Sequence, residues 1–378
     1  MKRLLPFLLP LLLSAAAHAQ PGSNPPPVPM KHTQFRTMTS RYVKEEFQLL
    51  ISLPANYHPD SARRYAVIYL TDADYSFGMT KDLANYLNWG EEIPEHIIVG
   101  VAYGGNVANW GQTRQRDFLP VANKDVYLSG GAAQFTDFLE KELIPFVDSA
   151  YRTKPQDRTL IGMSYGGVFG TYVLLKRPGI FKRYILGTTY FGYEKGELYT
   201  YEKEYAATHA DLPARVYASV GGAETYALEH FGNFTKVLAD RKYPNLKLKA
   251  EVLPDEVHSS VGGGTLARGL RWVFDGYFYD ERKVASLTPE QYDRYTGLYE
   301  LAENKFKVNI LRQDNGLVLK TEDGTQVIEL LPESESDFFA KKEKLELAFF
   351  QEKKKVAGFV IRGKEGRFKR VAPTAAGK

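Results

Sequence analysis

The chain contains no cysteine. A disulfide framework, a thiolate nucleophile and a lipid-modified N-terminal cysteine are therefore excluded. Stability has to come from a hydrophobic core, which 378 residues can supply. Charge of one sign is also scarce: 49 Lys and Arg stand against 45 Asp and Glu, a net charge of +4. With no clustered basic face, that balance argues against nucleic acid as a partner. Histidine is sparse, and no His-x-x-x-His or other clustered ligand spacing appears, so no metal and no cofactor are expected. Apolar runs long enough to cross a bilayer are absent, so no transmembrane segment is expected after signal cleavage.

What is present begins with an export pattern. Lys2 and Arg3 form a charged start, residues 4–13 an apolar stretch too short for a membrane span, and Ala17-His18-Ala19 a cleavage site before Gln20. Residues 1–19 thus read as a signal peptide, and the protein is expected to be periplasmic or secreted. Residues 20–30 are Pro-rich and read as an extended linker. Continuous apolar runs at 65–70 and 96–101 suit strands buried on both faces. Further strand candidates are 47–53, 159–163, 184–187, 215–220 and 246–253. Helical patterns lie between them. Phe135, Phe138, Leu139, Leu143, Phe146 and Val147 share one face, with Pro145 expected to kink or shorten that helix. Residues 226–240 and 266–278 form two more helical patterns. The alternation predicts an α/β domain over 31–282, a mostly parallel sheet with helices on both faces. Beyond about Lys283 the period changes to short alternating segments, with tight-turn signals at Asn315-Gly316 and Asp323-Gly324. Residues 287–378 are expected to form a small antiparallel, all-β accessory domain, with Lys353 to Lys355 at a solvated hairpin tip.

The richest segment is Gly162-Met163-Ser164-Tyr165-Gly166-Gly167, between an apolar run and a helical stretch. Strand, sharp turn and helix around Gly-x-Ser-x-Gly describe a nucleophile elbow. The flanking glycines let strand and helix approach, and the turn presents the Ser164 hydroxyl. A serine nucleophile needs a base. Among His32, His58, His96, His209, His230 and His258, position and chain order favour His258, just after the last predicted strand. The acid should follow an earlier strand. Glu224, after the run at 215–220, is preferred to Glu229, Asp255 and Glu256, two of which lie very close to His258 in sequence. A helix-terminal acid is the bland alternative for Glu224. Oxyanion stabilisation needs two N–H donors: Tyr165, next to the nucleophile, and Asp74, in the segment after an early strand. An Asx-turn is an equal reading of Asp74. Residues 103–127 are rich in Tyr, Asn, Arg and Trp and are expected to shape the substrate pocket. Trp110, Arg114 and Arg116 are its candidate binding residues, although an Arg116–Asp117 structural pair fits as well.

Several segments carry a family resemblance: Tyr69-Leu70-Thr71-Asp72-Ala73-Asp74, Arg116-Asp117-Phe118-Leu119-Pro120, and the block from Phe138 through Tyr151-Arg152-Thr153 to Gly167. Over about residues 44–279 the chain resembles the esterase D or "putative esterase" family of α/β-hydrolases, which includes siderophore-ester hydrolases, feruloyl and acetylxylan esterases and mycolyltransferases. The resemblance implies Ser164 as nucleophile, Glu224 as acid, His258 as base and Asp74 as the loop donor. Ala73 stands where that family usually has glycine. The C-terminal region, with Tyr295-Thr296-Gly297-Leu298-Tyr299, resembles the small β-domain appended to bacterial serine hydrolases. The expectation is an exported serine esterase acting through an acyl-enzyme on a small-molecule or glycan-linked ester. Acyl transfer to a sugar or lipid hydroxyl, and glycan or partner binding on an esterase scaffold, are the alternatives.

Overall fold

A computed structural model describes residues 28–371 apart from 56, 61–63, 105–106, 127, 278–283, 314–315, 341–344 and 363–365. The expected signal peptide, most of the linker, the 282 boundary, Phe278, Asn315 and Tyr127 lie outside the described residues.

Eight strands form the main sheet: β1 (Thr33–Thr39), β2 (Glu46–Ser52), β3 (Tyr65–Leu70), β4 (His96–Ala102), β5 (Thr153–Met163), β6 (Arg183–Gly187), β7 (Arg215–Gly221) and β8 (Lys247–Leu253). Their order is β1-β2-β4-β3-β5-β6-β7-β8. The pairings of β2 with β1 and β4 are antiparallel, and all those from β4 to β8 are parallel. Every residue of β3 and β4 is buried, as expected of strands covered on both faces. Side-chain alternation divides the core. Val67 and Tyr69 join a cluster with Leu160 and Phe169, while Ala66, Ile68 and Leu70 join one with Phe77, Ile161 and Leu266. Helices α1 (Ala73–Trp89) and α8 (Val261–Val273) cover that second face. The first is covered by α2 (Val107–Phe118), α3 (Ala132–Phe138), α4 (Ile144–Ala150), α5 (Tyr165–Lys176), α6 (Tyr193–Thr208) and α7 (Thr225–Asp240).

Local chemistry explains where elements depart from the sequence-based expectation. A π turn at Leu139–Leu143 joins α3 to α4, immediately before Pro145. Proline has no N–H for the carbonyl four residues back, and the wider turn absorbs that defect. Helix α8 begins at Val261 rather than 266, running through Gly262, Gly263 and Gly264. Glycine is a poor helix former, but Val261, Thr265, Leu266, Leu270 and Val273 make one buried face that holds the segment helical. Part of 103–127 is the helix α2.

The C-terminal module begins at α9 (Pro289–Asp293), where Thr288 and Gln291 form a capping box. Strands β9 (Gly297–Leu301), β10 (Lys307–Gln313), β11 (Gly316–Thr321), β12 (Val327–Pro332), β13 (Asp337–Ala340), β14 (Leu345–Glu352), β15 (Lys355–Ile361) and β16 (Arg367–Val371) close into an antiparallel barrel through β9. Its core is aromatic, with Tyr295, Tyr299, Phe338, Phe349 and Phe359 buried together. Closure leaves no free strand edge among the described residues of the barrel. Lys353 and Lys354, at φ 48° and 66°, make the tight turn between β14 and β15, the left-handed geometry that two-residue hairpins favour.

The turn from β5 into α5 depends on missing side chains. A Cβ on Gly162 would lie 2.1 Å from the Gly166 carbonyl oxygen, and one on Gly167 would lie 2.0 Å from Thr189 Oγ1. The first obstacle is backbone and cannot rotate away. Gly162→Ala should therefore destabilise the protein by about 1–3 kcal/mol, read as a lower urea midpoint; an unchanged midpoint would show that the turn has slack.

Candidate active site

Strands β3, β5, β6, β7 and β8 are successive neighbours and parallel, so their carboxyl ends share one edge of the sheet. Crevices at that edge are where open α/β sheets bind ligands. Ser164 follows β5 there, with φ 57° and ψ −120°. Its N–H donates to the Gly187 carbonyl at 2.9 Å, and its carbonyl accepts from Gly167 and Val168. The half-buried Ser164 thus caps α5 with its backbone, leaving the hydroxyl outside the helix hydrogen-bond ladder.

Glu224 stands at the end of β7, 2% exposed. Its Oε2 lies 2.6 Å from His258 Nδ1. The same carboxylate accepts from Thr188 Oγ1 at 2.6 Å, the Gly221 N–H at 2.9 Å and the Tyr226 hydroxyl at 2.9 Å. Burial by itself would push this carboxyl up. The bonds from Thr188, His258, Gly221 and Tyr226 outweigh it and hold Glu224 below the usual carboxylate value. Tyr226, pushed up to about 12 by burial and by its bond to Glu224, stays a neutral donor at neutral pH. An Nδ1–H directed at Glu224 leaves Nε2 as the acceptor. His258 is half exposed, its side chain 49% accessible, so that nitrogen can be approached. In this conformation Ser164 Oγ has no side-chain hydrogen bond among the described residues.

The chain brings His258 to Glu224 through glycine. A Cβ on Gly221 would lie 2.3 Å from the Glu256 carbonyl oxygen. The Gly222 and Ala223 N–H groups donate to the Leu253 and Glu256 carbonyls, which ties the end of β7 to the turn after β8. In that turn Asp255 takes φ 60° and the Glu256 carboxylate accepts from Ser260. Of the acids weighed from sequence, Glu224 is the one hydrogen-bonded to Nδ1. Thr188 Oγ1 and the Tyr226 hydroxyl, for which the sequence gives no role, also lie 3.0 and 3.1 Å from Nδ1. A β-branched residue after a strand and a tyrosine in a helix carry no sequence signal for such contacts.

Two helix N-termini meet beside Ser164. Tyr165 opens α5, and Asp74 lies in the first turn of α1. First-turn N–H groups have no intrahelical carbonyl. The ends are close, since a Cβ on Gly166 would lie 2.6 Å from Thr71 Oγ1 and 3.3 Å from Asp72 Oδ2. The Asp74 carboxylate accepts from the Tyr103 and Gly104 N–H groups at 2.9 and 3.1 Å, which anchors the segment after β4. Asp72 caps α1 at φ 54° without a side-chain cap bond. Its carboxylate instead receives Arg114 Nε at 2.8 Å and Nη2 at 2.9 Å, both side chains being 9% exposed. Burial pushes Asp72 up against the pull of Arg114.

The three residues expected to face substrate have different surroundings. The Arg114 guanidinium is spent on Asp72 and the Met163 carbonyl, and it stacks near Trp110 and Tyr165 at 4.8 and 5.1 Å. Arg116 is paired with Asp117 at 2.7 Å and Glu45 at 2.9 Å, the structural alternative that the sequence left open. Both guanidiniums are thus engaged by carboxylates. Trp110 packs on Tyr75, their ring centroids 4.5 Å apart. Removing Arg114 would strand a buried carboxylate beside the elbow. Arg114→Met should cost about 3–5 kcal/mol in urea unfolding, and adding Asp72→Asn should recover part of it. No recovery would mean that the pair is not what Arg114 contributes.

Comparison with known proteins bears on this constellation. A family model described as "Putative esterase" matches residues 40–268, and one described as a domain of unknown function matches 281–371. The chain is 32% identical over 170 residues to the ferri-bacillibactin esterase BesA of Bacillus subtilis, covering 41% of this chain and 57% of that protein. It is 28% identical over 175 residues to the siderophore triacetylfusarinine C esterase of Aspergillus fumigatus, covering 43% and 58%. The matches thus span little more than half the length of these two curated relatives. Among solved structures, the BES protein from Bacillus cereus superposes with a TM-score of 0.61 at 25% identity, covering 67% of this chain and 99% of that one. An IroE-like serine hydrolase from Shewanella oneidensis does so at 0.57 and 26%, covering 65% and 81%. With a sheet of that form, a serine at the elbow after β5, and a family match over more than half of its length, the chain belongs to the "putative esterase" family.

Proposed function

We propose that the protein is an exported serine hydrolase that cleaves carboxylic esters through an acyl-enzyme on Ser164. The observation that carries this reading is the 2.6 Å contact between Glu224 and His258 Nδ1, on the strand ends beside the Ser164 elbow. Ser164 Oγ attacks the ester carbonyl carbon while His258 Nε2 takes its proton. Ionised Glu224 holds the Nδ1–H and stabilises the imidazolium. Negative charge on the carbonyl oxygen is met by the N–H groups of Tyr165 and Asp74, at the positive ends of α5 and α1. Collapse breaks the ester C–O bond, and His258 returns the proton to the departing alcohol. Water, deprotonated by the same nitrogen, then releases the acid and restores Ser164. The Ser164–His258 hydrogen bond is expected to form with substrate bound, as such bonds are often long in free enzymes.

The names of the relatives suggest a siderophore ester as substrate. Trp110 and Tyr75 would border it, with Arg114 holding Trp110 from behind. The leader at residues 1–19 supports export to a periplasm or beyond. Among the described residues no helix is long and apolar enough to cross a membrane.

Ser164→Ala should lower kcat on p-nitrophenyl acetate by about 10⁴-fold or more and abolish labelling by a fluorophosphonate probe, with an unchanged melting temperature. Retained turnover would sink the assignment. Glu224 makes a second test possible. Its folded-state value is lowered, so its contribution to stability is complete above the unfolded-state carboxyl value and is lost as pH falls through the lower folded value. Wild type should thus lose stability relative to Glu224→Gln as pH drops below about 4.5. Parallel urea midpoints across that range would contradict it.

A further inference from the structure

Three side-chain oxygens surround one nitrogen of His258. Glu224 Oε2 lies 2.6 Å from Nδ1, Thr188 Oγ1 3.0 Å and the Tyr226 hydroxyl 3.1 Å. Thr188 follows β6, Glu224 caps α7 and Tyr226 lies in the first turn of that helix. Both hydroxyls are held in place. Thr188 is buried, and its N–H donates to the Ser219 carbonyl at 2.6 Å. The Tyr226 ring, although 59% exposed, packs against Tyr190, two residues beyond Thr188, with ring centroids 6.2 Å apart. Tyr190 in turn lies edge-on to His230 of α7, at 5.4 Å.

The hydrogens decide what these oxygens can do. A hydroxyl has one proton to give. Thr188 gives its proton to Glu224 Oε1 at 2.6 Å, and Tyr226 gives its own to Oε2 at 2.9 Å. Neither keeps a hydrogen for Nδ1, so each turns a lone pair towards it. All three oxygens are then acceptors, and the hydrogen between them and the ring belongs to Nδ1. The same lone pairs are dipoles fixed with their negative ends towards the imidazole. They favour the ring once it has taken a proton, and they need no rearrangement when it does.

We propose that Thr188 and Tyr226 are positioning residues that act on His258 directly, each holding Nδ1–H in parallel with Glu224. Their contribution grows as the imidazolium forms, so it falls on kcat rather than on substrate affinity. This role rests on the ester-hydrolysis reading, in which Nε2 of the same ring takes the Ser164 proton.

The test is a double-mutant cycle in the full chain, with p-nitrophenyl acetate as substrate. Tyr226→Phe keeps the ring and its packing on Tyr190 and removes only the hydroxyl. It should lower kcat by about three- to tenfold, the worth of one hydrogen bond, and leave KM within about twofold of wild type. A changed KM with unchanged kcat would make Tyr226 a substrate contact and overturn the proposal. With Glu224→Ala as background, Tyr226→Phe should cost at least as much as it does when the carboxylate is present. No cost there would mean that the hydroxyl serves only the acid, which also overturns it. Thr188→Val should lower kcat similarly, and Thr188→Ser, which keeps the hydroxyl, should restore it. Histidine nitrogen NMR gives a readout that does not depend on turnover. His258 should carry its proton on Nδ1 in wild type, keep it there in Glu224→Ala, and lose that preference in Glu224→Ala/Tyr226→Phe. Identical His258 signals in those two variants would contradict a direct contact. If wild type shows no turnover that depends on Ser164, the hydrolase reading fails and the spectra still decide on the hydroxyls. If wild type turns over and Tyr226→Phe matches it, this inference fails alone.

Discussion

Ser164 takes φ 57° and ψ −120°, a conformation that costs an L-residue on the order of 1–3 kcal/mol and persists only where its surroundings allow no other. Those surroundings are backbone and buried charge. Gly162 touches the Gly166 carbonyl, Gly166 faces Thr71 and Asp72, and Gly167 faces Thr189. Asp72 is in turn fixed by a two-point bond to Arg114, whose third contact is the Met163 carbonyl, one residue before the serine. The turn is thus held from three strands and two helices at once. Its strain is sustained by packing that α1, α2 and β6 would lose together.

A second centre of order is the Glu224 carboxylate. It collects bonds from the residue after β6, from β7 itself, from α7 and from the turn after β8. A buried carboxylate left unpaired would be costly, so each donor that satisfies it also fixes a segment of the edge. Thr188 shows the consequence. It adopts φ 46°, left-handed and uncommon for a β-branched residue, and its hydroxyl is placed between Glu224 and His258. Since the N–H of Thr188 also bonds the Ser219 carbonyl at 2.6 Å, the unusual backbone is held from both sides. The acid does more than orient one histidine, because it is the point through which four chain segments keep their relative positions.

Features set by local chemistry were legible from the sequence. Buried parallel strands read as unbroken apolar runs, the elbow reads from its glycines, and the barrel reads from period-two segments and tight turns. Position, chain order and the family resemblance single out Glu224 and His258 in the sequence, and in the structure Glu224 Oε2 lies 2.6 Å from His258 Nδ1. Features set by long-range pairing were not legible. The pairing of Arg114, a candidate binding residue by sequence, with Asp72, 42 positions earlier, has no local signal. The sequence pattern starts helix α8 late, because its glycines oppose helix locally while its buried face favours it tertiarily. The π turn at Leu139–Leu143 lay within reach, since Pro145 announced a defect, but not its form.

Strand polarity gives the two edges of the sheet opposite electrostatic characters. At the carboxyl edge α1 and α5 begin, so their first N–H groups and positive dipole ends favour negative charge there, while Glu224 is withdrawn into the protein. At the amino edge α8 ends, and its last carbonyls favour cations. That accounts for Arg183, which bonds one of them.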